Sequence, residues 1–216
     1  MRFRSHLSSV NVEIKTKAGA DMKCLTFNEA NAYLSAIGMM LGNWNQVTDI
    51  DSSVHKARSY EKGRAPAGSL ELLNFAQHMA GWVPNGDWKI IQLDNSTNLD
   101  PIQASLFGGL MYGPRDIRDL DFEEQRTFLF QLGQSDDSST ELLIAHLVYL
   151  LLLFECHGYV VSSGSSSGEV LSLQDGFVYL SSRDKEAAGA KSILQASEKN
   201  PLMAPAWVQK IIEDYQ

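Results

Sequence analysis

Residues 140–155 read TELLIAHLVYLLLLFE, and twelve of these sixteen residues are apolar. They lie on every side of a helix, which is typical of a helix that is buried or lies in a membrane. A membrane-spanning helix needs about 20 apolar residues, whereas this run ends after Phe154 and contains His146. We therefore predict a fully buried helix over 140–155 at the centre of a large hydrophobic core.

Helix and strand patterns are mixed irregularly on both sides of this segment. Further helices are expected after a capping box at Thr26 and Glu29 and up to Gly42, over 69–83, from Asp100 to Leu110, over 184–196 and over 206–215. Strands are expected over 10–15, 88–93, 128–132, 159–162, 169–173 and 177–180, with an Asp175-Gly176 hairpin turn between the last two. Residues 43–68 show no period and predict a long loop.

These elements predict an α+β fold over a single domain, 1–216, because strands and helices do not alternate regularly. We expect a mixed, largely antiparallel sheet packed with about six helices, including the buried one.

Charge narrows the range of partners. The chain has a net charge of −8, and residues 115–141 hold eight carboxylates against three arginines. An acidic protein repels phosphate backbones, so nucleic acid is not expected as a partner. An acidic surface attracts a basic protein instead, although such charge also serves simply to keep a protein in solution. The first residues lack the apolar core of a signal peptide, and two isolated cysteines do not form a disulfide framework, so we expect a cytoplasmic protein with no membrane contact.

Catalytic and cofactor motifs give little support for an enzyme. Zinc motifs (HExxH, paired CxxC) and nucleotide-binding motifs (GxxxxGK[ST], GxGxxG after a strand) do not occur, so we expect neither a metal nor a cofactor. Residues 164–168 formally match the GxSxG nucleophile elbow, but a strand-like segment follows where the motif requires a helix. The Glu155-Cys156-His157 run places possible nucleophiles side by side, yet sequence neighbours at a helix end usually point apart.

In general character the chain resembles the immunity proteins that bacteria make against polymorphic or contact-dependent toxins. The resemblance lies in residues 70–96 (LELLNFAQHMAGWVPNGDWKIIQLDNS) and 142–161 (LLIAHLVYLLLLFECHGYVV), about a fifth of the chain. It implies a cytoplasmic protein that binds and blocks a cognate toxin domain, and no family residues are carried over from it.

An inhibitor of this kind would present carboxylates to a basic partner and anchor it with aromatic side chains. The expected partner-binding residues are Asp116, Asp119, Asp121, Glu123, Glu124, Asp136, Asp137, Tyr112 and Tyr60. The alternative is a small hydrolase or transferase that uses His146 or His78 with a carboxylate. A third possibility is self-association through exposed tryptophans, and the oligomeric state stays open.

Overall fold

The computed structural model describes residues 13–15, 21–42, 46–93, 127–131, 138–164, 168–184 and 189–199. The strands within these ranges are β1 (Glu13–Lys15), β2 (Asp21–Leu25), β3 (Met39–Leu41), β4 (Val47–Asp49), β5 (Ser59–Arg64), β6 (Trp88–Leu93), β7 (Thr127–Gln131), β8 (Gly158–Ser162), β9 (Val170–Gln174) and β10 (Phe177–Ser182). The helices are α1 (Phe27–Ser35), α2 (Ser52–Lys56), α3 (Ser69–Trp82), α4 (Ser138–Leu153) and α5 (Ala190–Lys199).

Eight of the strands form one sheet, in the order β1-β2-β7-β6-β8-β9-β10-β5, and β3 pairs with β4 in a separate two-stranded sheet. Every strand pairing described is antiparallel. This confirms the α+β class and the antiparallel sheet. The described residues contain five helices rather than about six, and two of the predicted ones, over 100–110 and 206–215, lie outside these residues.

The central strands of the large sheet are covered on both faces, because their alternate residues point to opposite layers. Ile91 and Phe128 belong to the core shared with α3, α4 and α5. Their sequence neighbours Ile90 and Leu129 belong to a second core with α1 and β3. The protein is therefore three-layered, with three helices on one face of the sheet and α1 with the two-stranded sheet on the other.

The prediction that helix 140–155 is fully buried is wrong. Ile144, Val148 and Leu151 of α4 are buried against the sheet and α3, but Leu142 and Leu153 are 47% and 42% exposed. Since α4 lies in the outer layer, its apolar sequence leaves one side without cover among the described residues. None of the helices in the described ranges is long and apolar enough to cross a membrane.

Two further expectations are corrected in the first third of the chain. The helix predicted up to Gly42 ends at Ser35, and β3 follows after Gly38, whose φ of +74° leaves helical geometry. The loop predicted over 43–68 instead contains β4, α2 and β5. β5 pairs with β10 along its whole length, so this segment completes one end of the main sheet.

Local signals at two other positions are confirmed. Thr26 and Glu29 form the reciprocal capping box, with the Thr26 N–H donating to Glu29 at 2.8 Å and the Glu29 N–H donating to Thr26 Oγ1 at 3.3 Å. Asp175 and Gly176 have φ values of +51° and +72°, as a type I′ turn requires. The capping box fixes the start of α1, and the turn fixes the register between β9 and β10.

Candidate functional site

A cavity of about 290 Å³ lies where α3, the turn after it, β6 and the first two turns of α4 meet. Its exposed rim and its buried floor differ in chemistry. The rim is formed by Gly81, Asn85, Glu141 and Leu142, the side by Gln77, and the floor by Ala80, Lys89, Ile144 and Ala145. The floor is apolar except for one amine.

Lys89 reaches this floor because β6 runs through the middle of the sheet. In the strand WKIIQL, Lys89 and Ile91 point to the same face, which α3 and α4 cover. Lys89 pairs with Phe130 of β7 on one side and with Ser162 of β8 on the other. It is only 2% exposed and is the largest fully buried side chain among the described residues.

Burial disfavours the charged form of this amine and lowers the pKa of Lys89 to about 8, while the nearby carboxylate of Glu141 acts in the opposite direction. Within the part of the chain that the structure describes, the Lys89 amine makes no hydrogen bond and no ion pair. Buried charges are normally paired or hydrogen-bonded. A buried amine whose pKa is lowered to about 8 has far more of its neutral form at neutral pH than an ordinary lysine, and such a group can act as a nucleophile or bind a ligand.

Glu141 on the cavity rim is held in place by Asn85. The Asn85 side-chain amide donates a hydrogen bond to Glu141 Oε1 and so connects the turn after α3 with the first turn of α4. A carboxylate in the first turn is also favoured by the helix dipole. The cavity thus brings an oriented carboxylate and a buried amine to one space.

The two histidines proposed for catalysis lie elsewhere. Neither His146 nor His78 lines the cavity. The His78 ring nitrogen Nδ1 lies 2.8 Å from the backbone oxygen of Asn74, one turn earlier on α3. Among the described residues, no carboxylate forms a hydrogen bond or ion pair with either ring. The geometry that the hydrolase alternative requires is not found there.

Cys156 and His157 do not form a catalytic pair. Cys156 is buried, and burial raises the pKa of its thiol to about 11. His157 instead lies with Nε2 2.9 Å from Asp175 Oδ1 in the hairpin turn. The GxSxG match is likewise set between two strands, β8 and β9, rather than before a helix. The Cys156 thiol, which contacts the backbone oxygen of Phe154 at 3.7 Å, is therefore protonated at neutral pH.

Tyr60 is the one predicted partner-binding residue that the structure describes. It is 55% exposed on β5, the last strand in the sheet order. Lys62 and Arg64 share its face of the strand, opposite Tyr179 and Phe177 of β10. The Lys62 ammonium lies 3.7 Å from the ring centroid of Phe177. We call these five residues the Tyr60 strip; it is aromatic and basic rather than acidic.

The other expected partner-binding residues lie outside the described residues: Asp116, Asp119, Asp121, Glu123, Glu124, Asp136, Asp137 and Tyr112.

Of the four tryptophans, Trp82 and Trp88 are buried, which removes them as a self-association surface, and the other two also lie outside the described ranges. Among the described residues, no group of three or more His, Cys, Asp or Glu side chains is placed to hold a metal ion.

Sequence reasoning missed Lys89 and Glu141. The only signal for Lys89 was a lysine within an otherwise largely apolar strand, and alternation alone does not reveal that both faces of that strand are covered. Comparison with protein-family models, curated proteins and solved structures finds no match for this chain.

Proposed function

We propose that the protein is a cytoplasmic protein-binding module of the immunity type, which neutralises a cognate bacterial toxin. The observation that carries this proposal is the exposure of Tyr60 on a strand at the end of the sheet. An aromatic side chain on a rigid strand loses little conformational freedom on binding and is a typical anchor of a protein interface.

The charges suggest how the partner is oriented. The carboxylates at 116–124 would attract a basic partner over a distance and raise its association rate. The Tyr60 strip carries Lys62 and Arg64, so the partner surface that faces Tyr60 has to offer carboxylates or aromatic rings. A toxin domain with a basic active site and an acidic or aromatic margin would complement both the carboxylates at 116–124 and the Tyr60 strip.

The histidine-based hydrolase is the weaker candidate, because neither His146 nor His78 has a carboxylate partner among the described residues. This leaves partner binding as the function best supported.

Tagged protein used as bait in a lysate of its native cells, at low and at high salt, tests this proposal. The retained partner is identified by mass spectrometry and then expressed alone and together with this protein. We expect the partner alone to stop growth and co-expression to restore it. A partner that does not affect growth would contradict the immunity role.

Three variants locate the surface. Tyr60→Ala should weaken partner binding by about tenfold or more, as loss of an aromatic anchor does. Charge reversal at Asp119, Asp121 and Glu124 should slow association and remove its salt dependence. Lys191→Ala, at an exposed position on α5, serves as the control. If the first two variants bind like the control, neither surface is the interface.

A further inference from the structure

The floor of the cavity contains a feature that partner binding does not explain. Lys89 is 2% exposed, lines the cavity and has no hydrogen-bond or ion-pair partner within the described residues. A buried cation of this kind costs free energy unless something occupies the space next to it. Replacement by an apolar residue would remove that cost, so a purely structural role does not account for an amine at this position.

We propose that Lys89 forms an imine with a small aldehyde or ketone that enters the cavity past Glu141. This site is separate from the Tyr60 strip and does not depend on the proposed immunity function.

The cavity walls define the class of carbonyl compound. A volume of about 290 Å³ lies near the lower end of the range of ligand pockets, which is roughly 300–1,000 Å³. Ala80, Ile144 and Ala145 offer apolar contacts next to the amine, whereas Gln77 and Asn85 offer amide groups nearer the opening. A compact carbonyl compound with an apolar body and at most a few polar groups fits these walls.

Lys89 and Glu141 are the titratable residues among those lining the cavity, and together they supply the required proton transfers. Lys89 and Glu141 are not in direct contact, so solvent water in the cavity carries one proton from the Lys89 ammonium to the Glu141 carboxylate, and the free amine then attacks the carbonyl carbon. A second proton moves from nitrogen to the carbonyl oxygen and yields a carbinolamine. The proton on Glu141 then passes to the hydroxyl group, which leaves as water, so that a protonated imine and an ionised Glu141 remain.

Reductive trapping on the wild-type chain tests the proposal without any variant that disturbs the fold. The protein is incubated with benzaldehyde and sodium cyanoborohydride near neutral pH, and benzylated lysines are located by peptide mapping. Near neutral pH, a lysine with a pKa of about 8 has on the order of a hundredfold more free amine than an ordinary lysine. We expect Lys89 to be modified about tenfold faster than exposed Lys191. Modification of Lys89 at the Lys191 rate, or more slowly, would overturn the proposal.

A matched pair of variants tests the role of Glu141. Because Glu141 raises the pKa of Lys89, rates are compared per free Lys89 amine, with the pKa taken from the pH dependence of the rate in each protein. On that basis Glu141→Gln should slow benzylation of Lys89 by about tenfold and leave that of Lys191 unchanged. Asp87→Asn changes an exposed carboxylate two residues from Lys89 that does not line the cavity, and should leave both rates unchanged. An unchanged rate per free Lys89 amine in Glu141→Gln, with the fold verified by circular dichroism, would show that Glu141 takes no part.

Discussion

Asp49 and Arg58 form a buried ion pair with two hydrogen bonds. Arg58 Nε lies 2.6 Å from Asp49 Oδ2, and Arg58 Nη2 lies 3.0 Å from Asp49 Oδ1. Arg183 donates a third bond to the same carboxylate at 2.9 Å. Because Asp49 ends β4 whereas Arg58 precedes β5 and Arg183 follows β10, these bonds fasten the two-stranded sheet to the end of the main sheet.

Asp49→Asn should destabilise the protein by about 3–5 kcal/mol, because it leaves the Arg58 guanidinium buried without a counter-charge. Urea denaturation measures the difference. Asp87→Asn is the control, and a change at that exposed carboxylate should stay within about 0.5 kcal/mol. Equal unfolding free energies for the two variants would show that the ion pair does not secure the layers.

Protonation of Asp49 should lower the stability of the protein at acid pH. Burial alone would raise the pKa of Asp49, but the hydrogen bonds and charges of Arg58 and Arg183 outweigh it and lower the pKa. The unfolded carboxyl therefore binds its proton at a higher pH than the folded one, so the contribution is complete above about pH 4 and is lost as the pH falls through the folded pKa. Urea midpoints measured below pH ~4 should fall more steeply for the wild type than for Asp49→Asn. Parallel curves would contradict this linkage.

Lys89→Met should make the protein more stable near neutral pH. The pKa of Lys89 is lowered from 10.5 in the unfolded chain to about 8 in the folded protein. At neutral pH this difference lowers the free energy of unfolding by on the order of 3 kcal/mol. Between about pH 8 and 10.5, the Lys89 amine is protonated in the unfolded chain and neutral in the folded protein. Wild-type stability should therefore rise with pH over this range. The advantage of the variant should shrink over the same range. Thermal unfolding at neutral and alkaline pH checks both statements, and a less stable variant at neutral pH would contradict them.

Glu155→Gly should stabilise the end of α4 by about 0.5–1 kcal/mol. Glu155 has a φ of +51°, in the left-handed region that favours glycine. The next N–H, from Cys156, closes the helix end by donating to the Leu151 oxygen at 2.8 Å. Glu155→Ala retains a Cβ and should give no such gain, so an equal effect of the two variants in denaturation would exclude backbone strain as the cause.

Cys156 should resist alkylation while the protein is folded. Its thiol is buried and has a pKa of about 11, so at neutral pH it should react about a hundredfold more slowly than a free thiol. In a Cys24→Ser background, iodoacetamide labelling followed by mass spectrometry measures this rate. Labelling at the rate of a free thiol in folded protein would show that the site is accessible.

Local sequence patterns predicted the elements whose signals lie within a few residues. The Thr26 capping box, the Asp175-Gly176 turn and the strand WKIIQL are each determined by neighbouring residues, and together they gave the α+β class. β5 was missed because it is the last strand of the sheet order: Tyr60, Lys62 and Arg64 point outward, and its other face carries Ser59, Glu61 and Gly63. Without an apolar residue on alternate positions, an edge strand has the pattern of a loop.

The sequence predicted less of the candidate site than of the helices and strands. Of the nine predicted partner-binding residues, Tyr60 lies within the described structure, and its exposure is consistent with that role but does not test it. The Lys89 cavity was not predicted at all, because its walls come from α3, β6 and α4, which are brought together only by the fold.

The sequence by itself determined which segments form helices, strands and turns at several places, because the responsible hydrogen bonds and side-chain periods are local. The tertiary structure decided which face of each element is covered. It left Leu142 on the open side of an apolar helix, buried the amine of Lys89 beneath that helix, and placed Asp49 between two arginines from distant parts of the chain. Burial depends on the elements packed against a residue, and the pattern of a single segment does not contain that information.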